Sequence, residues 1–123
     1  MYTNILVGTD GSKTASIAVD RAVEVAKATG GRLTVFSVDK PERAGQVVAD
    51  EAARLADRGV DVRTKTAEGD PASLLVQEAE DGGYDLLVVG NKGMTGATRF
   101  FLGSVPNKVS HHVPCALLIV RTT

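Results

Sequence analysis

Short apolar runs and amphipathic segments take turns along this chain from one end to the other, and that alternation leaves few folds open. Asn4 to Gly8 reads as a first strand. Ser12 then has the position of a helix N-cap, with Ala15, Val19, Ala22, Val23 and Ala26 following at helical spacing until Gly30-Gly31. Arg32 to Val38 is β-branched and apolar enough for a second strand. Pro41 opens a second helix with Val48, Ala52, Leu55 and Ala56 on one face and Gly59 at its end. Val60 to Thr66 alternates apolar and charged residues, as a half-exposed strand does. Asp70-Pro71 is a cap followed by proline at the first helical position, and that helix runs through Leu74, Leu75 and Ala79 to Gly82-Gly83. Tyr84 to Val89 forms a fourth strand. Ser104 caps a last helix, Pro114 ends it, and Ala116 to Val120 is the fifth strand.

Strands separated in this way by helices predict an α/β domain with one doubly wound, five-stranded parallel sheet covered on both faces. Right-handed crossovers then leave few windings. The order 3-2-1-4-5 fits best, because the third strand reads as an edge while the first and fourth read as fully buried. In that order the winding reverses between strands one and four, and ligands of such sheets bind at the carboxyl ends beside the reversal. Those ends are Gly8-Thr9-Asp10-Gly11-Ser12 and the segment from Gly90 onward.

The second of these is the most unusual stretch of the chain. From Gly90 to Ser104 it holds the glycines Gly90, Gly93, Gly96 and Gly103, and the last is followed by a hydroxyl residue that opens a helix. Glycine lets an anion approach the backbone closely. Successive N–H groups in such a turn form a nest, and a helix N-terminus adds unpaired donors and partial positive charge. Charge-assisted hydrogen bonds contribute about 1.5–3 kcal/mol each, so a few of them can hold a phosphate chain. Lys92 and Arg99 add mobile positive charge, and the Ser104 hydroxyl can meet a phosphate or its magnesium. A flexible loop with glycines in tight turns is the plainer alternative. The position at the reversal, leading into a helix, favours phosphate. No G-x-x-x-x-G-K-[ST] is present, and strand one is not followed by G-x-G-x-x-G, so neither common phosphate loop applies.

Composition narrows the rest. With 123 residues there is room for one domain spanning 1–123. Fourteen basic residues against 15 acidic ones give a net charge of −1, which argues against a nucleic-acid partner. The single cysteine, Cys115, excludes an internal disulfide and a thiolate zinc site, and reads as a buried structural thiol. Without a signal peptide or an apolar run long enough to cross a membrane, a cytoplasmic setting is expected.

The spacing Gly90-x₂-Gly93-x₉-Gly103-Ser104 resembles the G-x₂-G-x₉-G-[S/T] signature of the nucleotide-binding branch of the universal stress proteins. The opening Ile5-Leu6-Val7-Gly8-Thr9-Asp10-Gly11-Ser12 and the ending Pro114-Cys115-Ala116-Leu117-Leu118-Ile119-Val120-Arg121 are similar to that family's first and last strands. The resemblance covers essentially the whole chain. It implies a stress-response protein binding ATP, or AMP or ADP, with magnesium. Thr9, Asp10 and Val38 would lie around the adenine and ribose, Val38 through its main chain. Gly90, Gly93, Gly103, Ser104 and Val105 would surround the phosphates and ribose, with Arg99 beside them. One departure is the short link from Asp39 to Gly45, where many members of the family carry a longer segment.

Other residues are weighed against this reading. Asp10 suits a ribose or magnesium at the switch point, or alternatively caps the first helix and supports the Gly11 turn. His111-His112 lie seven and eight residues beyond Ser104, about 10–12 Å along a helix, too far for general-base work on a phosphate there. They read as helix C-terminal residues. The last strand, Cys115 to Val120, is apolar on both faces yet falls at an edge, which predicts pairing with the same strand of a second copy. The resembled family commonly dimerises in this way.

Three functions compete. The first is a nucleotide-binding regulatory module, the second a slow ATPase or nucleotide-using transferase, and the third a nucleotide-free dimeric interaction module. Hydrolysis needs a group to position water, and Asp10 is the only acid the topology brings near the ligand, so no catalytic residue is assigned. A phospho-accepting receiver would want clustered acids after strand one and an aspartate after strand three, where the chain reads Thr64-Lys65-Thr66. A flavin carrier would want its phosphate loop after strand one and aromatic residues near the ring.

Overall fold

A computed structural model of the chain describes residues 2–91 and 104–122. Its elements are β1 (Asn4–Gly8), α1 (Lys13–Thr29), β2 (Arg32–Val38), α2 (Pro41–Leu55), β3 (Val62–Ala67), α3 (Pro71–Asp81), β4 (Leu86–Gly90), α4 (Ser104–His112) and β5 (Ala116–Val120). All four strand pairings are parallel, and the order across the sheet is β3-β2-β1-β4-β5. This is the doubly wound arrangement the alternation implies.

Alternation along each inner strand divides the core into two layers. Ile5, Val7, Leu33, Val35, Leu86 and Val88 face α1 and α2, where they meet Val19, Val23, Val48 and Leu55. Leu6, Phe36, Val38, Leu87 and Val89 face α3 and α4, where they meet Leu75, Ala79, Val105 and Val109. Strands buried on both sides carry few polar side chains, which explains the continuous apolar runs of β1 and β4. At the start of α1, Ser12 Oγ accepts from the Ala15 N–H at 3.2 Å, and at its end the Gly30 N–H donates to the Ala26 carbonyl.

Several boundaries differ from the sequence reading. β3 starts at Val62, not Val60, because the Leu33 N–H donates to the Asp61 carbonyl and sets Leu33 opposite Val62. β4 starts at Leu86, since the Tyr84 N–H donates to the Ala79 carbonyl and closes the end of α3. Helix α4 begins at Ser104 itself, so this residue is the first of the helix and not its cap. In α2 the buried face is Ala44, Val48, Glu51 and Leu55; Ala52 is half-buried and Ala56 exposed. Cys115 is half-buried, because β5 is an outer strand of the single chain. Burial pushes its thiol up from the usual value. Among the described residues no helix is long and apolar enough to cross a membrane.

The amino ends of β1 and β4 are clipped together by Asp85. Its carboxylate accepts from the Thr3 N–H at 2.9 Å, the Thr3 hydroxyl at 3.1 Å and the Asn4 N–H at 3.1 Å. Burial raises this acid, but the hydrogen bonds to its charged form outweigh burial and hold it below the ordinary value. A depressed carboxylate contributes stability that is present above its unfolded pKa, about 3.9, and is lost as pH falls through the folded value. Asp85→Ala is therefore expected to lower the thermal midpoint at pH 6, with the gap to wild type closing as the pH drops below about 4. A gap that stays constant down to pH 2.5 would show that the ionised form contributes nothing.

Candidate functional site

The candidate site is the rim where the carboxyl ends of β1 and β4 lie side by side, since the winding reverses between these two strands. On the β1 side, the turn into α1 is held by its own side chains. The Thr9 N–H donates to the Phe36 carbonyl at 3.0 Å, and the Thr9 hydroxyl accepts from the Gly11 N–H at 3.1 Å. Thr9 is fully buried, so its side chain serves the turn. Asp10 Oδ1 accepts from the Ser12 N–H at 2.9 Å, an Asx turn of the kind weighed as its alternative role. Asp10 is half-exposed, and its Oδ2 makes no hydrogen bond among the described residues.

Gly11 has φ +84°, and a Cβ there would stand 2.9 Å from Val47 Cγ2. Both the left-handed backbone and the contact with α2 require glycine. Beside this turn, Glu42, Arg43, Gln46, Val47 and Asp50 of α2 line an open groove of about 510 Å³. Val38 ends β2 opposite Ala67, and its side chain is buried in the layer under α3 and α4. Only its main chain is free to face a ligand at the rim.

On the β4 side, Gly90 ends the strand opposite Val120. Its φ is not positive, so the reason for glycine here is space: a Cβ would lie 3.3 Å from Thr122 Cγ2 and 3.9 Å from Ala18 Cβ. Gly93, Arg99 and Gly103 lie outside the described residues, as does Lys92. Ser104 starts α4. Val105 is 4% exposed with its side chain packed in the core, which leaves its first-turn N–H as the group it can offer.

Neighbouring charges are tied to the scaffold. Asp70 caps α3, and the Ser73 hydroxyl, the Ser73 N–H and the Lys108 ammonium hold its carboxyl at about 2. Lys108 thereby links α4 to the α3 cap at 3.2 Å. His111 and His112 occupy the last turn of α4. A helix following a parallel strand runs back along it, so they sit away from the carboxyl rim. Among the described residues no group of three or more His, Cys, Asp or Glu gathers as a metal site.

Sequence reasoning passed over two features of this region. Ser37, near the end of β2, is fully buried and its hydroxyl has no hydrogen-bond partner among the described residues. The one available signal was a serine among the apolar residues that end β2, a strand whose other hydroxyl residue is Thr34. Asn91 and Thr122, joined by hydrogen bonds across the end of β5, left no signal, since the pairing depends on register.

Known proteins share this fold. The sequence model of the universal stress protein family matches residues 1–53 and 42–121. Universal stress protein YxiE of Bacillus subtilis is 30% identical over 148 residues, covering 98% of this chain and all of that protein. A universal stress protein solved in complex with cAMP superposes with a TM-score of 0.86 at 34% identity, over 99% of this chain and 98% of the other. Protein Rv1636 from Mycobacterium tuberculosis is 40% identical with a TM-score of 0.69, over 99% and 97% of the two chains.

Proposed function

The chain belongs to the universal stress protein family, and on that premise we propose that it is a cytoplasmic adenine-nucleotide-binding regulatory protein, one domain over residues 1–123. The observation that carries this reading is the position of the two ends of the glycine-rich segment: Gly90 ends β4 beside the reversal and Ser104 begins α4. Gly90 thus stands at the rim and the first turn of α4 offers helix N-terminal amides, the arrangement that suits phosphates. The solved relative at 34% identity, in complex with cAMP, supports an adenine nucleotide as the ligand class.

In this reading Gly93 and Gly103 let the phosphates approach the main chain, the N–H groups of Ser104 and Val105 bind them, and Arg99 neutralises charge. Gly90 holds the start of the segment against the sheet. Asp10, through Oδ2, meets the ribose or a magnesium ion carried by ATP, and the Val38 main chain borders the adenine. Thr9 supports these groups from beneath by fixing the Gly11 turn. Magnesium, when bound, would screen the phosphate charge. Binding is favoured over turnover because Asp10, the acid assigned to the ligand, already has one oxygen committed to the Ser12 N–H. A second copy pairs through Cys115–Val120, whose middle residues are half-buried in the single chain.

Calorimetry with ATP, ADP, AMP, cAMP and GTP in the presence of magnesium tests this, on wild type and on a Gly93→Val, Gly103→Val double variant. The expected result is micromolar binding of an adenine nucleotide, about −8 kcal/mol, and none by the folded variant. Sedimentation of the same wild-type sample should give a dimer. No heat with any nucleotide would leave a dimeric interaction module as the better reading, and a protomer's mass would remove the pairing.

A further inference from the structure

Past the carboxyl ends of β4 and β5 the chain is fastened by a clasp. The Asn91 N–H donates to the Val120 carbonyl at 2.8 Å, which carries the ladder one rung beyond Gly90 and Val120. Thr122 then sends two donors to one atom: its N–H and its hydroxyl each reach Asn91 Oδ1 at 2.9 Å. The methyl of the same threonine limits the space above Gly90, where a Cβ would come within 3.3 Å of it. Thr122, two residues past the end of β5, therefore holds the first two residues of the glycine-rich segment, Gly90 by shape and Asn91 by hydrogen bonds.

We propose that Thr122 is a positioning residue for nucleotide binding, acting through Asn91 to fix the direction in which the glycine-rich segment leaves β4. The proposal rests on the reading of Gly90–Ser104 as the phosphate site. A backbone nest binds an anion well only when its N–H groups already point at it, so ordering the segment before the ligand arrives lowers the cost of binding. Thr122 is half-buried beyond the end of β5, and among the described residues its hydroxyl bonds Asn91 Oδ1. Coupling of this kind is reciprocal: if the clasp favours the ligand, the ligand tightens the clasp.

Thr122→Val removes the hydroxyl, keeps the shape against Gly90 and leaves the N–H bond; Thr122→Ser keeps the hydroxyl. Titrated with ATP and magnesium, the valine variant should bind about three- to tenfold more weakly and the serine variant within about twofold of wild type. The unfolding midpoint without nucleotide should be unchanged in both. In wild type, hydrogen exchange at the Thr122 N–H should slow when ATP is added. If wild type binds no ATP, the phosphate-site reading falls and the clasp's role with it. If wild type binds and the valine variant binds equally tightly, the clasp alone is refuted. A loss of affinity matched by a fall in the nucleotide-free midpoint would also overturn it, by showing that Thr122 acts only on stability.

Discussion

Leu87→Ala is expected to lower the unfolding free energy by about 2–5 kcal/mol, a large share of the 5–15 kcal/mol typical of such domains. Leu87 is fully buried in β4, between Leu6 of β1 and Leu117 of β5, in the layer completed by Leu75 and Val109. Truncation there removes apolar burial and leaves a cavity that strands paired on both sides cannot close. Urea unfolding should show a lower midpoint with an unchanged slope, and Leu87→Met should cost less than about 1.5 kcal/mol. A loss below about 1 kcal/mol for the alanine variant would mean that α3 and α4 collapse onto the gap. Because β4 delivers Gly90 to the rim, the same variant reports how firmly the site's foundation is held.

Glu51→Ala should have the next largest effect, about 2–3 kcal/mol, through a charged network between α1 and α2. Glu51 is 5% exposed. Its Oε1 accepts from the Ser16 hydroxyl at 2.6 Å, and its Oε2 meets Arg54 Nε at 2.8 Å and Nη2 at 2.6 Å. Arg54 also reaches Asp20 Oδ1 at 2.6 Å. Burial alone would lower the Arg54 guanidinium; Asp20 and Glu51 overcome it and raise the group above its ordinary value. Removing Glu51 leaves the Ser16 hydroxyl without its acceptor and half of the Arg54 fork unpaired. The Arg54 side chain is 31% exposed, so water recovers part of the loss and the cost stays below that of a fully enclosed pair. Glu51→Gln, which keeps an acceptor for Arg54, should cost about 1 kcal/mol in the same unfolding measurement. Equal losses for the two variants would show that acceptor geometry is irrelevant.

The winding was legible because it depends on pattern. Apolar runs at β1 and β4 and the charged alternation at β3 are local properties, and they suffice to rank strands by burial and so to order the sheet. Caps at Ser12 and Asp70 were legible for the same reason, since a capping side chain acts within three residues of itself. What could not be read depends on partners distant in sequence. Glu51 occupies an inner position of α2 because Ser16 and Arg54 satisfy it, and Ser16 is contributed by α1. The starts of β3 and β4 move because register to neighbouring chain segments, and not local propensity, decides the first rung.

The site was legible in part, and for two kinds of reason. Asp10 and Gly90 reach the rim by topology alone. That Thr9 is buried and holds the Gly11 turn, that Gly90 answers to the Thr122 methyl, and that Val105 turns its side chain inward all follow from packing. A spacing motif identifies residues that share a location without saying which face each one shows.

The two borders of the sheet are unlike. β3 ends it with exposed Arg63, Thr64, Lys65 and Thr66, whereas β5 ends it with Leu117, Leu118 and Ile119, all half-buried. A strand approaching β3 must displace water from two long cationic side chains, and two copies meeting there antiparallel would set Arg63 against Lys65. Growth of the sheet by strand addition is therefore open at one border and discouraged at the other. If copies join through β5 as proposed, only β3 borders face outward, and association by strand addition would end at the pair instead of growing into fibres.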